Sequence, residues 1–355
     1  MPALKLAGVP LAEELQKDLN RHAFRAQLGL AATGGVQRSV GTREWLSYDP
    51  DVFLPSPFDA FVLSGHCPKV QWPGGQPEQK ELRLCYIVGC GRSGSTILAE
   101  ILSHYRSVLF LNEPRQLWLE QLPMDVWSTK GAGLLCPEVL DDDVPALAES
   151  IMSNYRRSVE LLLPDAEMPV TILEKFPEHI FRLELLRKLT GGQARFIYLK
   201  RSAVAVARSV ARFAQAAWYG ARDQKWKQLK EQLQKHFTPS AQLLMVLEAT
   251  TGAPERLLFA RGLVEWALSV QALRNAAGPD ILEICYEELT INPSAVLERL
   301  QVLFVHNDEG PKVAHWAKEI LRHCMTDVPL TAMEDEVVKL MRGSGIDQLL
   351  EESEE

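Results

Sequence analysis

The chain has 355 residues, 46% of them hydrophobic, and a formal net charge of −8 with a sequence pI near 5.6. That length suits roughly two domains or one large α/β domain, with ample chain for a core. The acidic balance excludes the global basic footprint of a nucleic-acid-binding protein.

Six cysteines, Cys67, Cys85, Cys90, Cys136, Cys285 and Cys324, include no C-x-x-C pair. They read as reduced thiols, without a disulfide framework or zinc site. Residues 1–10 lack the charged-then-apolar order of a signal peptide. No apolar run reaches the roughly 18 residues of a membrane span. The expectation is a cytoplasmic protein with no membrane span and no nucleic-acid partner.

In chain order, residues 11–32 read as a helix of mixed charge. Residues 40–80 are rich in Pro, Gly and aromatics and read as loop or linker. Residues 1–80 are therefore expected to form an N-terminal extension or cap, and the core is placed at 81–310. The core opens on the apolar run Leu82 to Val88, a buried strand. Gly89-Cys90-Gly91-Arg92-Ser93-Gly94-Ser95-Thr96 follows it. Ile97, Leu98, Ile101, Leu102 and Tyr105 then form one apolar stripe on a helix. A strand, a glycine-rich turn and a helix N-terminus together make an anion cradle, because backbone N–H groups converge at the turn.

The turn nearly matches the nucleotide P-loop, G-x-x-x-x-G-K-[ST]. Gly89, Gly94 and Thr96 are in place, but Ser95 stands where that motif has lysine. The cation is Arg92, inside the loop. A guanidinium fork suits phosphate or sulfate bidentately. The turn thus looks built for an anion other than a magnesium-bound triphosphate.

Further strands are predicted at Val108 to Leu111, Val170 to Leu173, Phe196 to Leu199 and Ile281 to Tyr286. Helical patterns at 97–105, 145–163, 178–189, 203–217 and 294–304 separate them. The fold class is α/β, a P-loop-type parallel sheet of about five strands covered by helices on both faces. Residues 212–262 interrupt the alternation as a helical insertion, either a solvated structural element or a lid, with Arg222 to Lys235 helical. Residues 311–355 form a C-terminal helical segment with an acidic tail.

Polar clusters follow the strands, where parallel sheets bind ligands. Asn112-Glu113-Pro114-Arg115 follows the second strand. Glu113 reads as a helix cap or as a general base. Lys175 ends the third strand, and a salt bridge to Glu174 or another neighbour is its plain reading. Arg201 ends the fourth strand, with Ser209 eight residues on. Two helical turns span about 11 Å, so the two can frame one phosphate. A surface ion pair or a cap would explain them equally well.

These motifs, taken together, resemble the PAPS-dependent sulfotransferase family, where PAPS is 3′-phosphoadenosine 5′-phosphosulfate. The resemblance covers about residues 82–304. It rests on Gly91-Arg92-Ser93-Gly94-Ser95-Thr96, Asn112-Glu113-Pro114, Glu174-Lys175-Phe176-Pro177, Phe196 to Arg201 with Ser209, and Tyr286-Glu287-Glu288-Leu289 with Asn292-Pro293. It is strongest to the carbohydrate, tyrosylprotein and bacterial branch. The family usually has an acidic residue after the arginine of the second anion site, and this chain has Arg201-Ser202-Ala203.

The resemblance implies in-line sulfuryl transfer from PAPS to a hydroxyl or amine acceptor, with no metal required. It assigns Glu113 as general base, with Lys175 and Arg92 neutralising the leaving nucleotide. The 5′ end falls to Gly91, Arg92, Ser93, Gly94, Ser95 and Thr96, and the 3′-phosphate to Arg201 and Ser209. Tyr286 and Glu287 are candidates beside the adenine. The acceptor is expected to be a glycan or small molecule, with peptidyl tyrosine third. Arg115, Trp118, Trp127, Trp218 and Tyr219 are candidate lining residues, each equally readable as packing. The alternatives are a P-loop kinase or NTPase acting on a small molecule, and a binding module without catalysis.

Overall fold

The computed structural model describes residues 81–105, 107–114, 117, 118, 139, 141–163, 169–213, 224–249, 254–304, 310–321 and 329–354. The expectations for residues 1–80, Arg115, Trp127, Trp218, Tyr219 and Arg222 lie outside these.

Five strands form one parallel sheet: β1 (Leu82–Val88), β2 (Val108–Asn112), β3 (Val170–Lys175), β4 (Arg195–Lys200) and β5 (Ile281–Cys285). Their order is β2-β3-β1-β4-β5. The register sets Leu82 of β1 beside Val170 of β3 and Cys85 beside Arg195 of β4. Side chains alternate between the faces of each strand. Tyr86 and Val88 join Leu109, Leu111, Ile172, Phe196 and Tyr198 in the core of one face. Cys85 and Ile87 join Phe110, Leu173, Ile197 and Leu199 on the other. Burial on both faces is why these strands read as continuous apolar runs.

The helices are α1 (Ser95–Leu102), α2 (Val144–Leu162), α3 (Leu183–Leu189), α4 (Ala203–Phe213), α5 (Gln224–His236), α6 (Ala241–Leu247), α7 (Pro254–Asn275), α8 (Tyr286–Ile291), α9 (Pro293–Leu300), α10 (Gly310–Leu321), α11 (Ala332–Leu340) and α12 (Ile346–Glu354). A short 3-10 helix, Pro177–Arg182, joins β3 to α3. Ile151, Tyr155 and Val159 of α2 cover the first face with Leu186 of α3. Leu98, Ile101, Val296, Leu297 and Val313 cover the second from α1, α9 and α10.

A third core lies among α4, α5, α6, α7, α11 and α12, built on Val206, Val210, Trp226, Leu229, Leu263, Trp266, Val337 and Ile346. Gly262 lets α7 lie against α4, since a Cβ there would come within 2.9 Å of the Ala207 Cα.

The five-stranded parallel sheet under helices matches the expected class. Two details differ. Tyr286, expected to end the last strand, opens α8 instead. Helix α7 runs unbroken through residue 262, where the insertion was expected to end.

Candidate functional site

The carboxyl ends of β1, β2, β3 and β4 carry the loop and the polar residues singled out in the sequence. The loop itself is held tightly. Ser93 donates to the Cys90 carbonyl from both its hydroxyl, at 2.7 Å, and its N–H, at 3.3 Å. Gly91, Ser93 and Ser95 are buried, while Arg92, Gly94 and Thr96 are partly exposed. Arg92 takes a φ of 69° and Gly94 a φ of 92°. Gly94 is required twice over: its backbone is left-handed, and a Cβ would run into the Tyr286 ring. Tyr286 is thereby the wall facing the loop. Gly94 precedes α1, whose N-terminus carries no side-chain cap. Such an end offers its backbone N–H groups and dipole to an anion.

Arg92 turns its side chain toward α4, and its Nε donates to Ser209 Oγ at 3.1 Å. Arg201 Nη1 donates to the Arg92 carbonyl at 3.1 Å. The Arg201 guanidinium lies 4.4 Å from the centre of the Tyr286 ring. Its buried Nε has no hydrogen-bond partner. The Trp266 indole donates to the Arg201 carbonyl at 2.9 Å. The loop, Arg201, Ser209 and Tyr286 thus form one continuous edge, where the sequence suggested two separate anion sites. Two guanidinium groups and a hydroxyl on one edge suit a phosphate- or sulfate-bearing ligand.

The turn after Arg201 keeps an acid by another route. Glu287 Oε1 accepts from the Ser202 N–H at 3.0 Å. The Glu287 carboxylate thereby braces this turn.

The second half of the site is the pair Lys175 and Glu113. The Lys175 ammonium donates to Glu113 Oε1. Of the partners the plain reading left open, Glu174 or another neighbour, the structure gives Lys175 the other neighbour, Glu113; the Glu174 side chain projects from the opposite face of β3. Lys175 is nearly buried, and Glu113 is partly open, with 27% of its side chain exposed. Glu113 takes a φ of 47°, and its N–H donates to the Lys175 carbonyl at 2.7 Å.

Glu100 is a site neighbour the sequence reading missed. Burial pushes its carboxyl up to about 7, against the pull of Lys175. The available signal was its place on α1, one helical turn beyond Thr96.

Trp118, a candidate lining residue, is 1% exposed. Its indole donates to Glu174 at 2.8 Å, so it is packing. Among the described residues, no group of three His, Cys, Asp or Glu could hold a metal ion. No helix among them is long and apolar enough to cross a membrane.

A parallel sheet with a glycine loop, an uncapped helix and a basic edge at its carboxyl ends defines a P-loop-type α/β protein with an anion-binding edge. More particularly, residues 85–304 match the Sulfotransferase family, and the chain belongs to it. Its reaction is sulfuryl transfer from PAPS, which decides against the kinase alternative. No curated protein matches the sequence.

Several solved structures are similar. Sulfotransferase STF9 from Mycobacterium avium is 17% identical over 82% of this chain and 79% of its own, with a TM-score of 0.40. Sulfotransferase STF1 from Mycobacterium tuberculosis H37Rv is 15% identical over 93% and 86%, with a TM-score of 0.38. Mouse sulfotransferase SULT7A1 complexed with PAP is 13% identical over 76% and 88%, with a TM-score of 0.38.

Proposed function

We propose that Glu113 is the general base of this sulfotransferase and that Lys175 neutralises the departing nucleotide. The observation that carries the reading is their pairing: a partly open carboxylate held against a nearly buried ammonium, on neighbouring strand ends. In the reaction, the acceptor oxygen forms a bond to sulfur while its proton passes to Glu113. The bond from sulfur to the bridging oxygen breaks. Its electron pair leaves on the 5′-phosphate of adenosine 3′,5′-bisphosphate (PAP). Charge grows on that phosphate, where Lys175 and the α1 N-terminus stabilise it. The loop residues Gly91, Ser93, Gly94, Ser95 and Thr96 hold the 5′ end.

Arg92 reaches Ser209, so it serves both ends of the donor, with Arg201 and Ser209 on the 3′-phosphate and Tyr286 beside the base. The already reduced charge of a sulfuryl group, compared with a terminal phosphoryl, supports transfer without a divalent metal. The acceptor is a hydroxyl of a glycan or small molecule.

Arg92→Ala is expected to abolish transfer and weaken PAP binding in calorimetry. Glu113→Gln is expected to cut turnover about 10²–10⁴-fold while sparing PAP binding, with EDTA changing neither result. Full turnover in Glu113→Gln, read by mass spectrometry of sulfated products, removes Glu113 from the role.

A further inference from the structure

Glu174 is fully buried on the face of β3 opposite Lys175. Its Oε1 accepts from the Trp118 indole at 2.8 Å and pairs with His179 Nε2 at 2.8 Å. Its Oε2 accepts from the Tyr155 hydroxyl at 2.5 Å. Burial lowers the His179 pKa, and with a guanidinium donor facing Nδ1 it is Nε2 that donates to Glu174. Arg182 Nη1 approaches the other ring nitrogen at 3.4 Å. A carboxylate is costly to bury, and this one is kept by meeting it with three donors. An apolar side chain would fill the space without that cost. What the carboxylate adds is direction, since it fixes where the Trp118 indole must point.

Glu113 and Trp118 flank one hydrogen-bonded turn. Leu117 N–H donates to the Pro114 carbonyl at 2.9 Å, closing that turn, and Asn154 Nδ2 donates to the Leu117 carbonyl at 3.1 Å. The turn is therefore tied to consecutive residues of β3 at its two ends. Glu113 bonds the Lys175 backbone, and Trp118 bonds the Glu174 side chain. Glu113 also holds a left-handed backbone, which a non-glycine residue keeps only where its surroundings impose it.

We propose that Glu174 is a positioning residue for the reaction: acting through Trp118, it fixes the turn that aims the Glu113 carboxylate. The proposal rests on the reading of Glu113 as base, and the test separates the two.

Four single variants and one double variant are compared by PAP formation from PAPS, with 4-nitrophenol, lactose and tyramine as acceptors. Trp118→Phe removes the hydrogen bond on the turn and keeps an aromatic ring. It is expected to lower kcat about 10–100-fold, the scale of a small misplacement of a reacting group. KM for PAPS and the Kd of PAP stay within about twofold. Tyr155→Phe removes a bond from the same carboxylate but from helix α2. It is expected to lower Tm while leaving kcat per folded molecule within about threefold. The double variant Glu113→Gln with Trp118→Phe is expected to be no slower than Glu113→Gln alone. Should Trp118→Phe fold poorly, Asn154→Ala loosens the same turn from its other contact and is expected to lower kcat in the same manner.

Equal kcat in wild type, Trp118→Phe and Asn154→Ala overturns the positioning role, as does an equal kcat loss in Trp118→Phe and Tyr155→Phe. A slow Glu113→Gln beside a fully active Trp118→Phe overturns positioning alone. A fully active Glu113→Gln overturns the base reading beneath it.

Discussion

Among the described residues, two largely buried lysine–glutamate clusters differ in access. Lys175 and Glu113 sit at the carboxyl ends of β3 and β2, with 7% and 27% of their side chains exposed. Lys225 of α5 lies between Glu178 of the 3-10 helix and Glu265 of α7, at 3.1 and 2.8 Å, with exposures of 2%, 9% and 2%. The chemistry of the pairs is the same. In the first, the carboxylate is partly exposed, at the sheet edge that also carries the glycine loop. In the second, the ammonium is enclosed, and its partners come from two further elements. The role of a charge pair follows from what else can reach it.

The largest expected effect tests the open pair. Lys175→Met should lower turnover about 10²–10³-fold, the scale of losing one charge-stabilising donor, with Tm close to wild type. The closed cluster should behave in reverse. Lys225→Met leaves two buried carboxylates without their cation and should cost about 3–5 kcal/mol in denaturant unfolding, while the Kd of PAP stays near wild type. Burial works against the Lys225 charge, but Glu178 and Glu265 outweigh it and hold its pKa above the ordinary 10.5. A raised folded-state pKa means the stabilisation is complete below 10.5 and is lost only as pH rises through the folded value. A Lys225→Met variant with wild-type Tm and slowed turnover would join the two clusters into one functional unit.

What was legible in the sequence divides along the same line. The loop Gly89 to Thr96 declares itself because glycine spacing is a local constraint, and the φ of 92° at Gly94 is the reason that glycine is there. Glu113, Lys175 and Arg201 were found because each follows an apolar run, and parallel strands end on one side of the sheet.

Contacts between distant segments were not legible. Arg92 meeting Ser209 depends on how α4 packs beside the loop. Alternation along β3 puts Glu174 and Lys175 on opposite faces, but only packing reveals that α2 covers the Glu174 side. Trp118 could not be told from a pocket residue, since an aromatic one turn past a strand looks the same in either role. Lys225 was hidden in a lysine- and glutamine-rich helix whose other described polar side chains are partly or fully exposed.

The smallest expected effect comes from a pair that is near the site in sequence and turned away from it in space. Arg208 adjoins Ser209, yet its guanidinium donates to Glu334 at 2.7 and 2.9 Å and to the Pro329 carbonyl at 2.8 Å. Glu334 also closes the capping box of α11 with Thr331. The Arg208 hydrogen bonds hold the Glu334 carboxyl down at about 2, against burial and with help from the Thr331 backbone. A depressed carboxylate stabilises the fold above its unfolded value of 4.5 and loses that contribution as pH falls toward 2. Wild type should therefore shed about 2 kcal/mol across that window from this residue, and Glu334→Gln should flatten that part of the acid unfolding curve. PAP binding at neutral pH should stay within about twofold in the same variant, because α11 is anchored to the far side of α4. A tenfold loss of PAP affinity would show that the anchor of α11 also sets the Ser209 hydroxyl, and that this enclosed pair belongs with the donor edge.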